Sequence, residues 1–165
     1  MIKGILTFIT IVVFTSVAFG QEHNWAFGFY GDVNVKAARE NSFGVQAKYD
    51  LNNRSALQAQ VHGRSSFVSV GADYLFSFLN KRNSDFNVFL GVGVAEEFVR
   101  FQKEEEIDYE LVKDDLFVLN GQLGVSYYFS PVKLSVYGGY KVKYITTDEK
   151  FKPNYVTLGV RYHLW

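Results

Sequence analysis

The chain has no cysteine, so neither a disulfide nor a thiolate metal site can hold it together. It has only two prolines, Pro131 and Pro153, and a residue that cannot donate to a sheet ladder is scarce where strands are many. It has no charge bias: 17 basic and 17 acidic residues give a net charge of zero, or −1 without Lys3. That balance argues against a nucleic-acid surface, which needs a basic patch. Aromatic residues are abundant, at 18% with 16 Phe and 11 Tyr, and 14 Gly are scattered along alternating segments rather than gathered in linkers. This composition suits strands and interfacial rings better than helices.

Residues 1–20 read as a secretory signal peptide. Lys3 precedes an apolar run from Ile5 to about Val17, and Ala18-Phe19-Gly20 places small residues where a signal peptidase reads. The expected cut lies between Gly20 and Gln21, leaving residues 21–165 as one domain. A single membrane anchor is the competing reading, but the run is short for a span of ~20 residues and no basic stop-transfer cluster follows. With no Cys near the cut, a lipid-anchored lipoprotein is excluded.

Residues 155–165 carry the clearest pattern. Val156, Leu158, Val160, Tyr162 and Leu164 form one apolar row, and Tyr155, Thr157, Gly159, Arg161 and His163 form the other. Period two over that length is a strand with one oily and one polar face. A closing strand that must pair with the first strand of a barrel has this form.

The same alternation recurs along the domain and predicts strands over 24–35, 42–51, 55–64, about 67–76, 85–101, 116–129 and 133–144. Residues 52–54, 77–84 and 130–132 read as turns, while 36–41, 63–66, 102–115 and 145–153 read as loops. Eight antiparallel strands of ~10–12 residues match a small up-and-down transmembrane barrel. An even count puts both termini on one side, which is expected to be periplasmic. Tyr49, Tyr74, Phe76, Tyr127, Phe129 and Tyr162 then fall at that end as an aromatic girdle. A soluble lipocalin-like barrel shares the periodicity with the faces reversed. The membrane reading is preferred because the oily row carries rings at its ends and aliphatics mid-strand. The other row is rich in Gly, Ser, Gln and charge.

The segment around Gly159, Val160, Tyr162, Leu164 and Trp165 resembles the C-terminal assembly signal of bacterial outer-membrane β-barrel proteins. Leu164 holds the alternating phase and Trp165 falls one residue later. The whole domain resembles the small OmpA/OmpX-type eight-stranded barrels. The resemblance implies a location in the bacterial outer membrane, contact with its lipids and lipopolysaccharide, and a barrel-assembly machinery as partner during insertion. It carries no catalytic signature and no cofactor.

Candidate chemistry is sparse. His62, Arg64, Ser65 and Ser66 lie together, but His62-Gly63-Arg64-Ser65 has the wrong spacing for the His-x-Ser of outer-membrane lipid A deacylases. Lys48, Asp50, Arg64, Asp73, Glu97, Lys141, Lys143 and Arg161 all fall in lumen-facing rows. Buried charge must be paired, so they predict an internal ion-pair network. The acidic stretch 104–110 lacks the spacing of a calcium loop and reads as a solvated surface loop. Gly91-x-Gly93 lacks the third Gly and following helix of a nucleotide site. The expected function is non-enzymatic: envelope integrity, or interaction with surface ligands through the outer loops. A narrow channel or carrier for small or hydrophobic solutes is the alternative, and a lipid-modifying enzyme is the third and least favoured.

Overall fold

The computed structural model describes residues 24–35, 41–64, 67–81, 83–105, 108–146 and 149–164. The expected signal peptide and Trp165 lie outside them. Eight strands follow in order: β1 (Trp25–Asn34), β2 (Ser42–Asp50), β3 (Ser55–Arg64), β4 (Phe67–Ser77), β5 (Phe86–Glu105), β6 (Asp108–Phe129), β7 (Leu134–Ile145) and β8 (Lys150–His163). Each pairs antiparallel with its neighbours, and β8 pairs with β1 from Ala26↔His163 to Asn34↔Tyr155. Closure removes every edge from the wall, as an apolar surround requires.

Three short connections lie at the end of the barrel where β1 starts and β8 finishes, here called the terminal end. In the first, Asn52 Oδ1 accepts the backbone N–H groups of Arg54 and Ser55, both at 2.9 Å. In the third, Ser130–Val132 make one 3₁₀ turn, and Lys133 adopts a left-handed conformation with φ 52° to enter β7.

The alternation sorts the side chains as the sequence predicts. Phe29, Phe43, Val45, Leu123 and Leu158 are exposed on the outer surface, Phe29 by as much as 73%. Gln46, Gln60, Asp73, Gln122, Lys141 and Arg161 are buried in the lumen. A soluble barrel would be built the other way round. Leaving so much apolar area in water would cost ~25 cal/mol per Å², so the outer surface is made for lipid. Exposed rings ring both ends of the wall. Tyr74, Phe76, Tyr127, Phe129 and Tyr162 stand at the terminal end, and Phe43, Phe98, Phe117, Tyr144 and Phe151 at the distal end. Tyr49 of the expected girdle is half-buried, with its ring 4.9 Å from that of Trp25.

Two expected loops are largely strand. Residues 102–105 belong to β5 and 108–115 to β6, and the two pair from Phe98↔Asp115 out to Glu105↔Asp108. Pairing to β4 stops at Val99 and pairing to β7 starts at Val118, so the hairpin projects past the wall as a two-stranded ribbon. With no adjoining strand, neither face of this ribbon is forced to be apolar, and the alternation that marks a strand is lost. Likewise β8 begins at Lys150, inside the expected loop 145–153. Its register with β7 shifts between Lys143↔Lys152 and Lys141↔Tyr155, so one extra residue sits in β8 beside Pro153. Such a bulge releases the position from the ladder, which lets a proline stay in the strand.

Candidate functional site

The lumen holds the chain's buried chemistry. Towards the distal end, Asp32 of β1 meets two lysines of β7. Lys141 Nζ donates to Asp32 Oδ2 at 3.0 Å, and Lys143 Nζ lies 3.7 Å from the same oxygen and donates to Glu97 Oε1 at 3.0 Å. Two lysines and two carboxylates therefore balance. Tyr30 and His62 hydrogen-bond beside them through the phenol and Nδ1.

Deeper in, Asp73 Oδ2 accepts from Gln60 Nε2 at 3.0 Å and from Gln122 Nε2 at 3.2 Å. Arg161 is held by neutral groups. Nε donates to Gln46 Oε1 at 3.3 Å, Nη2 donates to Gln58 Oε1, and the guanidinium carbon sits 3.8 Å from the Tyr137 ring centroid. Tyr137 in turn donates to Gln46 Oε1 at 2.9 Å. Tyr30, Ala56, Leu75, Phe89 and Tyr137 form a buried apolar cluster across this region. An eight-stranded barrel is just wide enough for side chains to fill, and here they fill its distal and middle parts.

The large side chains fit because glycines face them across the ladder. Phe89 pairs with Gly124, and a β-carbon on Gly124 would come 2.6 Å from the Phe89 ring. Tyr137 pairs with Gly159, where a β-carbon would come 2.4 Å from the ring. Gly159, expected as part of an assembly signal, thus also has a packing role inside the barrel.

Below the cluster the terminal end opens into a chamber of about 890 Å³. Lys48 and Asp50 from the end of β2, Asn87 from the start of β5, Ser135 from the start of β7 and His163 from the end of β8 line it, with Leu75, Phe89 and Arg161 also reaching it. Lys48 Nζ lies 2.8 Å from Asp50 Oδ1, and Lys81, in the turn between β4 and β5, folds over the mouth to the same carboxylate. His163 Nε2 and Ser135 Oγ hydrogen-bond at 2.8 Å.

The expected ion-pair network exists for Lys48, Asp50, Glu97, Lys141 and Lys143. Asp73 and Arg161 are buried in the lumen but hydrogen-bond to glutamine side chains instead of pairing, and Arg64 lies elsewhere. Arg64, the last residue of β3, is exposed, its guanidinium 5.6 Å from the Phe67 ring centroid. Its row points inward, but the strand ends at the rim, beyond the filled lumen. His62 is buried against Tyr30, while Ser65 and Ser66 lie outside the described residues, as do the side chains of the acidic stretch 104–110. The reading of the rows missed Asp32 as the hub for Lys141, and Lys81 as a lumen residue. Asp32 and Lys141 are 109 positions apart and meet only through barrel closure. Lys81 sits in a polar turn that carries no mark of its inward fold.

No protein-family model matches the sequence, and no curated protein matches it. Solved structures do. The N-terminal β-barrel domain of Pseudomonas aeruginosa OprF superposes with a TM-score of 0.69 at 13% identity, covering 87% of this chain and 100% of that one. Neisserial surface protein A superposes with a TM-score of 0.50 at 18% identity, covering 84% and 93%. The fold is that of the small outer-membrane barrels. At such low identity the agreement lies in strand number, closure and topology, features that backbone pairing and period-two alternation can preserve while side chains change.

Proposed function

We propose that this protein is a non-enzymatic barrel of the bacterial outer membrane that contributes to envelope integrity or surface interaction through its distal loops and ribbon. The observation that carries this reading is the lumen filled across its middle and distal parts. Leu75, Phe89, Tyr137 and Arg161 meet across it, and the ion pairs of Asp32, Lys141, Lys143 and Glu97 occupy the space above. A barrel so filled offers its work to the surfaces at its two ends. The likeness to outer-membrane barrels and the lipid-suited outer wall support the location. In this orientation the terminal end faces the periplasm and the ribbon faces outward. Lipids and lipopolysaccharide surround the wall, and the barrel-assembly machinery recognises the segment from Gly159 to Trp165 during insertion.

The second reading is a narrow channel, favoured by the polar lumen and the chamber at one end. Single-channel recording in planar bilayers separates the two. The filled barrel is expected to give no resolved conductance steps, and regular steps that persist on purification would establish the channel instead. His62 offers little to an acyl-transfer reaction, because its ring is buried in the lumen against Tyr30 rather than facing lipid.

A further inference from the structure

The charges in the two halves of the lumen are balanced differently. Towards the distal end two lysines meet two carboxylates. At the chamber, Lys48 and Lys81 share the single carboxylate of Asp50, and Arg161 is held by two amide oxygens and a ring. Asp73, deeper in the lumen, is the further carboxylate whose field reaches Arg161. Among the described residues the five lumen cations Lys48, Lys81, Arg161, Lys141 and Lys143 thus meet the four carboxylates Asp32, Asp50, Asp73 and Glu97, and the surplus positive charge lies at the chamber. Asp85 also lines the chamber, but stands exposed at its rim. Burying surplus positive charge is costly unless a counter-charge is supplied.

The chamber's other features also suit a ligand. Its volume of about 890 Å³ falls within the ~300–1,000 Å³ of small-molecule sites. Leu75 and Phe89 give it an apolar floor next to the Arg161 guanidinium. Asn87 is 5% exposed, and while its Nδ2 donates to the Leu79 carbonyl at 3.3 Å, its Oδ1 accepts no hydrogen bond. The chamber is closed to the membrane by the barrel wall, so its ligand enters from the aqueous side at the terminal end.

We propose that this chamber binds a small amphipathic organic acid. The carboxylate lies between Arg161 and Lys48, with Lys81 closing over it, and the hydrocarbon part rests on Leu75 and Phe89. A guanidinium and an ammonium flanking one carboxylate make charge-assisted hydrogen bonds, about twice as strong as neutral ones. Lys81 sits in the turn between β4 and β5, outside the strands, so the mouth can open without disturbing the wall.

The test uses the folded barrel in phosphatidylcholine nanodiscs, with backbone amide shifts followed by NMR during titration with hexanoate, hexan-1-ol and inorganic phosphate. Hexanoate is expected to give saturable shifts at Lys48, Asn87 and Arg161, and hexan-1-ol to bind about tenfold more weakly. Phosphate is expected to shift the same amides more weakly than hexanoate, because it lacks the chain that covers Leu75 and Phe89. Arg161→Gln and Lys81→Gln should each weaken hexanoate and leave hexan-1-ol unchanged. Lys81 lies outside the strands, so its variant reads out binding even if Arg161→Gln fails to fold. Equal binding of the acid and the alcohol, absence of saturation, or an unchanged Lys81→Gln titration would overturn the proposal.

Discussion

The Tyr137 ring comes within 2.4 Å of where a β-carbon on Gly159, its partner across the β7–β8 ladder, would stand. The ring therefore occupies the space a side chain at 159 would need. Gly159→Val is expected to destabilise the barrel by about 1–3 kcal/mol through overpacking. Pairing it with Tyr137→Ala should recover part of the loss, since the two changes share one volume. Urea titration of the folded barrel in lipid measures both.

Asp32 is the shared partner of Lys141 and Lys143. Asp32→Asn leaves two buried lysines with Glu97 alone and should cost about 3–5 kcal/mol, the usual penalty for removing one partner of a buried pair. Replacing Asp32 by Leu and Lys141 by Met together should cost less than Asp32→Asn alone. A double variant that is the less stable of the two in the same titration would contradict this account.

The two faces of the wall should tolerate charge differently. Val70 and Leu123 are exposed on the outer surface, and an Arg at either should cost ~2–4 kcal/mol near the bilayer middle. Gln122→Arg points into the lumen towards Asp73 and should cost less. Comparable losses at all three positions would reverse the assignment of the faces.

Deleting residues 104–110 removes the outer rungs of the ribbon, from Lys103↔Glu110 outward, and none of the pairing that closes the wall. The shortened protein should fold and keep heat-modifiable migration on gels, with little change in stability. Loss of the folded band would mean the ribbon helps to seal the barrel.

Removing Tyr162–Trp165 takes away the outward-facing Tyr162 and Leu164 and the rungs Phe27↔Tyr162 and Ala26↔His163. The truncated chain is expected to be exported but to fail insertion, because unpaired amides at the seam are very costly in hydrocarbon. Removing Trp165 alone should be milder, since Leu164 holds the alternating phase. Heat-modifiable migration of membrane-fractionated protein distinguishes the two variants, and normal insertion of the four-residue truncation would refute the assembly role.

Alternation alone determined most of the wall. In β4, outward Val68, Val70, Tyr74 and Phe76 and inward Ser69, Asp73 and Leu75 can be assigned by counting, because the side-chain period of a strand is two. The number of strands, their direction and the end at which the termini lie follow from the same counting. Counting failed at 102–115 and 150–153. The ribbon stands clear of the wall, and the bulge at Pro153 breaks the phase. Only the tertiary structure decided which inward residues meet. Asp32 finds Lys141 and Arg161 finds Gln58 over more than a hundred positions, through the curvature and stagger of a closed sheet. The chamber belongs to that class as well. Its surplus positive charge arises because Lys81 folds inward beside Lys48 and Arg161 hydrogen-bonds to amides rather than to a carboxylate, and neither fact is encoded in any local pattern.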